Sequence, residues 1–142
     1  MRIRLLMIGK TRRSEMCAIL DDYVRRIGRH LPVEISEVRN ADAAIKKLDA
    51  DRAATVVLLD AAGRNLDSNA LAKWLGEIRD RGTRELIFLC GDADGFPDDL
   101  RQRAHQKLSL SAMTFSHELA RVMLVEQLYR AFAILSGSPY PK

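Results

Sequence analysis

The sequence predicts one α/β domain, a parallel sheet with helices on both faces. Short aliphatic runs alternate with helical patterns about five times, and the connections between them are short. Two runs, residues 55–59 (Thr-Val-Val-Leu-Leu) and 86–90 (Leu-Ile-Phe-Leu-Cys), are apolar almost throughout, as strands are when a parallel sheet is covered on both sides. At 142 residues such a chain buries roughly two-thirds of the surface it exposes when unfolded, enough for one core. Neither a repeat nor a linker interrupts the pattern, so residues 1–142 are expected to form a single domain.

The first strand is expected at residues 3–8, closed by Gly9. A helix follows, with Ser14 as its expected cap and Met16, Ile19, Leu20, Tyr23, Val24 and Ile27 on one apolar face at spacings of three and four. Gly28 is expected to loosen its end. Residues 33–38 read as the second strand, and Asp42 as the opening of a short helix carrying Ala44, Ile45 and Leu48. The third strand, 55–59, should stop at Asp60. Asp67 or Ser68 then caps a helix with Leu71, Trp74, Leu75 and Ile78 on one side, ended by Gly82. The fourth strand, 86–90, runs directly into Gly91-Asp92-Ala93-Asp94-Gly95. A helix opened by Pro97 leads to Leu108-Ser109-Leu110-Ser111, and a long final helix spans about 117–135 before a non-helical tail.

Hydrophobic residues make up 47% and charged residues 30% of the chain, which excludes a disordered or collagen-like class. The 23 Lys and Arg against 19 Asp and Glu leave a formal charge of +4. That excess is spread along the chain, its densest knots being Arg12-Arg13 and Arg25-Arg26, and fits a solvated face as well as an RNA-facing one. Cys17 and Cys90 lack the paired spacing of zinc or redox motifs and are expected to be small buried hydrophobes in a reducing compartment, so no metal is expected. Residues 1–8 are too short for a signal-peptide core and no run approaches the roughly 18 apolar residues of a membrane span, so the expected location is the cytoplasm, with no membrane partner.

Ligands of open parallel sheets bind beyond the carboxyl ends of the strands. Here those ends are Leu59-Asp60-Ala61-Ala62-Gly63, Cys90-Gly91-Asp92-Ala93-Asp94-Gly95 and Ser109-Leu110-Ser111-Ala112-Met113-Thr114. None carries a Gly-x-Gly-x-x-Gly fingerprint or a phosphate loop, which argues against a flavodoxin-like nucleotide-binding regulator. Gly91 and Gly95 also suit a simple tight turn. In the final helix His117, Arg121, Glu126, Tyr129 and Arg130 interrupt an apolar segment; surface ion pairing is one account of them, and a cap or surface position one account of His117.

Taken in order, Leu59-Asp60 with Gly63, Phe88-Leu89-Cys90-Gly91 through Gly95, residues 108–114, Ser116-His117 through Arg121-Val122, Glu126-Gln127-Leu128-Tyr129-Arg130-Ala131-Phe132 and Pro139-Tyr140 resemble the ribosomal RNA large subunit methyltransferase H family over essentially the whole chain. The resemblance implies a SPOUT-type α/β fold with a C-terminal trefoil knot, a homodimer, and S-adenosylmethionine as cofactor. It implies methylation at N3 of a pseudouridine in helix 69 of 23S rRNA within the assembled ribosome. Leu59, Gly91, Leu110, Ser111, Ala112, Met113, Thr114 and Phe115 carry over as cofactor-binding positions. For the chemistry, Arg121 or Arg130 is expected to lend electrostatic help, Tyr140 to stack on the base, and His117 to act as a candidate base.

Two positions depart from the family pattern. Asp92 stands where relatives commonly have a second glycine, its carboxylate expected to crowd the pocket or repel the cofactor's own carboxylate, although Asp tolerates left-handed backbone. Pro141 stands where they usually place a histidine. A second reading follows from these departures, a non-catalytic ribosome-binding or assembly factor that keeps the fold.

Overall fold

The computed structural model describes residues 1–92 and 94–140. Ten elements follow one another in the expected alternation: β1 (Arg2–Ile8), α1 (Ser14–Ile27), β2 (Val33–Val38), α2 (Ala41–Ala50), β3 (Thr55–Asn65), α3 (Ser68–Asp80), β4 (Glu85–Cys90), α4 (Asp98–Arg101), β5 (Gln106–Ser109) and α5 (His117–Ser136). The five strands form one sheet in the order β2-β1-β4-β3-β5, every pairing parallel.

Alternation along the strands divides the core into two layers. Ile3, Leu5, Met7, Val57, Leu86, Phe88 and Cys90 pack with Leu20 and Ile27 of α1, Leu71, Leu75 and Ile78 of α3, and Leu124, Leu128 and Phe132 of α5. Their neighbours Leu6, Ile8, Val56, Leu58, Ile87 and Leu89 pack on the other side with Ala44 and Leu48 of α2 and Leu100 beside them. Burying a side chain such as Phe88 contributes about 1.5–3 kcal/mol, which is why a run apolar on both faces commits to the sheet centre.

At the far edge, β5 is guided by His105. Its N–H donates to the Val56 carbonyl at 2.8 Å and its Nδ1 accepts from the Val56 N–H at 2.9 Å, so the imidazole continues the ladder one residue before the strand.

Several expectations are corrected. β3 does not stop at Asp60 but continues to Asn65, because the chain leaves the ladder after Leu59 and returns to it: Leu59 and Arg64 both pair with Leu108. Ser14 is the first residue of α1 rather than its cap, its hydroxyl facing the Glu15 carboxylate. Asn40 caps α2, ahead of Asp42, through a 2.9 Å bond from Ala43 N–H. Gly28 closes α1 in ordinary helical geometry, and of the two candidates for α3 the cap is Asp67. The helix after Pro97 is a single turn. Cys17 is only half-buried, whereas Cys90 is buried.

Of the polar groups of α5, Glu126 and Arg130 form the ion pair that the pairing account expects, but Arg121 does not sit at the surface. Arg121 has 0% exposure and Glu118 is buried, both on the side of α5 that meets α1 and the sheet. Among the described residues no helix is long and apolar enough to cross a membrane.

Candidate active site

The excursion of β3 builds one wall of a cleft. Residues 60–63 swing out between the two pairings to Leu108, and Gly63 then passes so close to β5 that a Cβ there would stand 2.6 Å from the Lys107 carbonyl carbon. Asp60, first in the excursion, accepts from the Ala62 N–H at 3.0 Å and pairs with Arg101 of α4. The Ala62 bond first, then the Arg101 guanidinium, hold its carboxyl below the usual aspartate range.

The second wall follows β4. Gly91 lies against the Phe96 ring, where a Cβ would meet ring carbons at 3.0–3.3 Å. Asp92 folds back on its own turn: its Oδ1 accepts from the Asp94 N–H at 2.9 Å and its carbonyl from the Gly95 N–H at 3.2 Å. The left-handed residue is Gly95, at φ 78°, and no described non-glycine residue shares that region, so Asp92 needs no left-handed tolerance. Its carboxylate is occupied within the turn while Asp92 lines the cleft edge. Pro141, the other departure, lies outside the described residues.

The third wall is the segment between β5 and α5. Ser109 Oγ donates to the Ser111 carbonyl at 2.9 Å and Ser111 Oγ accepts from the Met113 N–H at 3.0 Å, turning the chain sharply before Ser116 caps α5. Together the three walls enclose about 490 Å³, with a smaller hollow of about 150 Å³ continuing beneath Leu110 and Met113. That size suits an organic cofactor.

Of the expected cofactor positions, Leu59, Thr114 and Phe115 line both hollows, Gly91 the larger, and Leu110, Ser111 and Met113 the smaller. Ala112 is exposed and lines neither. Asp60, Ala61, Phe96 and Arg101 complete the walls without having been expected as cofactor positions. Asp60 was visible as a strand-end residue, but its partnership with Arg101, 41 residues on, carried no local signal.

The candidate chemical residues separate into three places. His117, at the first turn of α5, lines the larger hollow. Arg121 lines neither hollow; its guanidinium donates to the Ile8 carbonyl at 2.6 Å and the Thr11 hydroxyl at 2.9 Å, fixing the end of β1. Arg130 and Tyr140 sit together elsewhere: Arg130 donates to Glu126 at 2.8 Å, the Tyr140 hydroxyl donates to the same oxygen at 2.9 Å and faces Tyr23 at 3.1 Å, and the Arg130 guanidinium lies 5.3 Å from the Tyr140 ring centre. Burial, then the bonds to Tyr23 and Glu126, push the Tyr140 phenol upward. His117 and Arg130 are thirteen residues apart on one helix, about 20 Å at 1.5 Å per residue.

Residues 1–141 match the family described as "Predicted SPOUT methyltransferase". The chain belongs to the SPOUT methyltransferase family. Among curated SPOUT relatives, the ribosomal RNA large subunit methyltransferase H of Geotalea daltonii is 40% identical over 151 residues, covering 99% of each chain. That of Pelobacter propionicus is 42% identical over 151 residues with the same coverage, and that of Koribacter versatilis 40% identical over 142 residues, covering 99% of this chain and 97% of its own.

Solved structures share the fold at low identity. A probable methylase family protein from Haemophilus influenzae superposes with a TM-score of 0.60 at 12% identity, covering 99% of this chain and 70% of that one. The SpoU methyltransferase AviRb from Streptomyces viridochromogenes, in complex with AdoMet, gives 0.56 at 13% identity, covering 96% and 59%.

Proposed function

We propose that the protein is an S-adenosylmethionine-dependent ribosomal RNA methyltransferase acting on N3 of a pseudouridine in helix 69 of 23S rRNA, in the assembled ribosome. The observation that carries this reading is the cleft itself, in which seven of the eight expected cofactor positions line two adjoining hollows at the strand ends. The names of the full-length relatives supply the substrate class.

When bound, S-adenosylmethionine supplies a methyl group already activated on a sulfonium, so the residues' task is alignment and charge control. Leu59, Leu110 and Phe115 offer apolar walls, and bare Gly91 leaves room for close approach to main chain. N3 of the base carries an imide proton that must leave, and in this reading His117, which lines the cleft, receives it. Arg121, committed to Ile8 and Thr11, acts by fixing the end of β1 against α5 rather than by touching substrate.

Arg130, about 20 Å from His117 along α5, and Tyr140, packed beside it from the tail, reach a cleft in this reading as part of a second copy. This supports a homodimer in which one chain's cleft works with the other's Glu126-Arg130-Tyr140 cluster. Exposed Ile19 on α1 with Leu119 and Met123 on α5 give a second copy apolar surface to cover. The trefoil knot belongs to the same proposal: α5 returns from the β5 edge to pack between α1 and α3, as a threaded C-terminal segment must.

Mixed dimers test the arrangement. A Gly91→Val chain and a Tyr140→Ala chain, each inactive alone, should regain up to about a quarter of wild-type methylation of ribosomes when co-folded, because half of the dimers are mixed and each holds one intact site. If the mixture stays inactive while each variant folds and dimerises, the two-chain site is wrong.

A further inference from the structure

Residues 9–13, Gly-Lys-Thr-Arg-Arg, join β1 to α1 and are tied down by groups from distant elements. The Gly9 N–H donates to the Val38 carbonyl at 2.7 Å and the Thr11 N–H to Glu37 Oε2 at 2.8 Å. The Arg12 and Arg13 N–H groups donate to the two Glu118 carboxylate oxygens at 2.9 and 3.1 Å, and Arg121 holds Ile8 and Thr11 from the next turn of α5. The main chain of this loop is therefore fixed relative to α5, yet Lys10, Arg12 and Arg13 are all exposed to solvent.

The loop also has a definite address. Met7 pairs with Cys90, so the chain leaving β1 runs beside the chain leaving β4 at Gly91. Glu118, which grips Arg12 and Arg13, follows directly on His117 in the cleft wall. Exposed Arg39, just past Val38, extends the same rim. Among the described residues Lys10, Arg12 and Arg39 form no ion pair, and Arg13 meets only Glu15 at 3.4 Å.

The turn leaving β4, next along the sheet, carries the other sign. Asp92, Asp94, Asp98 and Asp99 cluster from the β4 turn into α4. On the α4 side Arg101 and Arg103 are already paired with Asp60 and Asp49, so the cations left unpaired for a polyanion lie on the β1 side. A net charge of only +4 hides this asymmetry.

We propose that Lys10, Arg12 and Arg39, on the loop that Glu118 and Arg121 hold rigid and on the rim beside it, grip backbone phosphates of the RNA strand whose base enters the cleft. Glu118 already occupies the main-chain donors that an anion would otherwise take, so the grip falls to side chains. This inference rests on the methyltransferase reading of the cleft and adds the face over which the RNA runs. A rigid basic rim fixes the substrate's direction as well as its affinity.

Binding to isolated large ribosomal subunits, measured over a series of salt concentrations, tests it. Lys10→Ala/Arg12→Ala should flatten the slope of log affinity against log salt by about 1.4, at about 0.7 for each single-strand phosphate no longer neutralised. The same double variant should keep its calorimetric affinity for S-adenosylmethionine. Lys46→Ala/Lys47→Ala, exposed on α2 and equal in charge removed, should leave the slope unchanged. Equal slopes for both double variants, with ribosome methylation by the wild type intact, overturn the proposal and spare the cleft reading. Absent methylation by the wild type overturns the cleft reading, and the proposal with it.

Discussion

The Glu118 carboxylate accepts the backbone N–H of Arg12 at 2.9 Å, across 106 positions of sequence. With the neighbouring bond from Arg13 it anchors the two residues that lead into α1, whose Ncap side chain makes no capping bond. These bonds, the Arg12 one foremost, hold the Glu118 carboxyl below its ordinary value of 4.5. A carboxylate with a depressed folded value contributes stability that is present above the unfolded value and is lost as pH falls through the folded one. Melting temperature should therefore fall faster with acid below about pH 4.5 in the wild type than in Glu118→Gln, which should be less stable at pH 7. Parallel acid profiles for the two proteins contradict this.

Gly63→Ala should weaken the β3–β5 edge. The new methyl meets backbone atoms of Lys107 and Leu108 at 2.6–2.8 Å, which no side-chain rotation relieves. Overpacking of this kind costs about 1–3 kcal/mol. Denaturant unfolding should register that loss, and an unchanged midpoint would contradict the close passage of Gly63 over β5.

Gly91→Ala should act on binding more than on folding. Its methyl meets the Phe96 ring, which can swing, but the direction left open is the cleft that both residues line. A cost of about 1.4 kcal/mol corresponds to tenfold in affinity for S-adenosylmethionine. Calorimetry reads that loss directly, with the thermal midpoint as the control for folding.

The thiols should differ sharply. Burial pushes Cys90 up to about 12, only partly offset by the nearby Arg121 guanidinium, so it stays a thiol at pH 8. Half-buried Cys17, which donates to the Thr11 carbonyl at 3.3 Å, should take up iodoacetamide first. Peptide mass spectrometry after limited alkylation distinguishes them, and preferential labelling of Cys90 would contradict its burial.

Much of the fold is legible in residue pattern, because residues such as Val57 and Phe88 have no stable home outside a sheet covered on both sides. The missed features share one physical character: they depend on partners remote in sequence. The carboxylate that anchors the chain entering α1 lies on α5, and the extension of β3 past polar Asp60 depends on Leu108 accepting two partners in turn. Arg121 reads as a surface cation from its type alone, since a fully buried arginine is rare unless a carbonyl such as that of Ile8 awaits it. The cofactor segment around Leu110 and Phe115 has no periodicity to betray it; its place after a strand marks it as a candidate ligand end, and only the family resemblance assigns it the cofactor. The separation of His117 from Arg130 was present in the numbering, but its consequence appears only once α5 is seen to be a single unbroken helix.

Mass spectrometry of the helix 69 fragment of 23S rRNA, from cells with and without this chain, tests the central claim most directly. The account predicts a methylpseudouridine that disappears on deletion, returns with the wild-type chain and fails to return with Gly91→Val. An identical fragment mass in all four samples would contradict it.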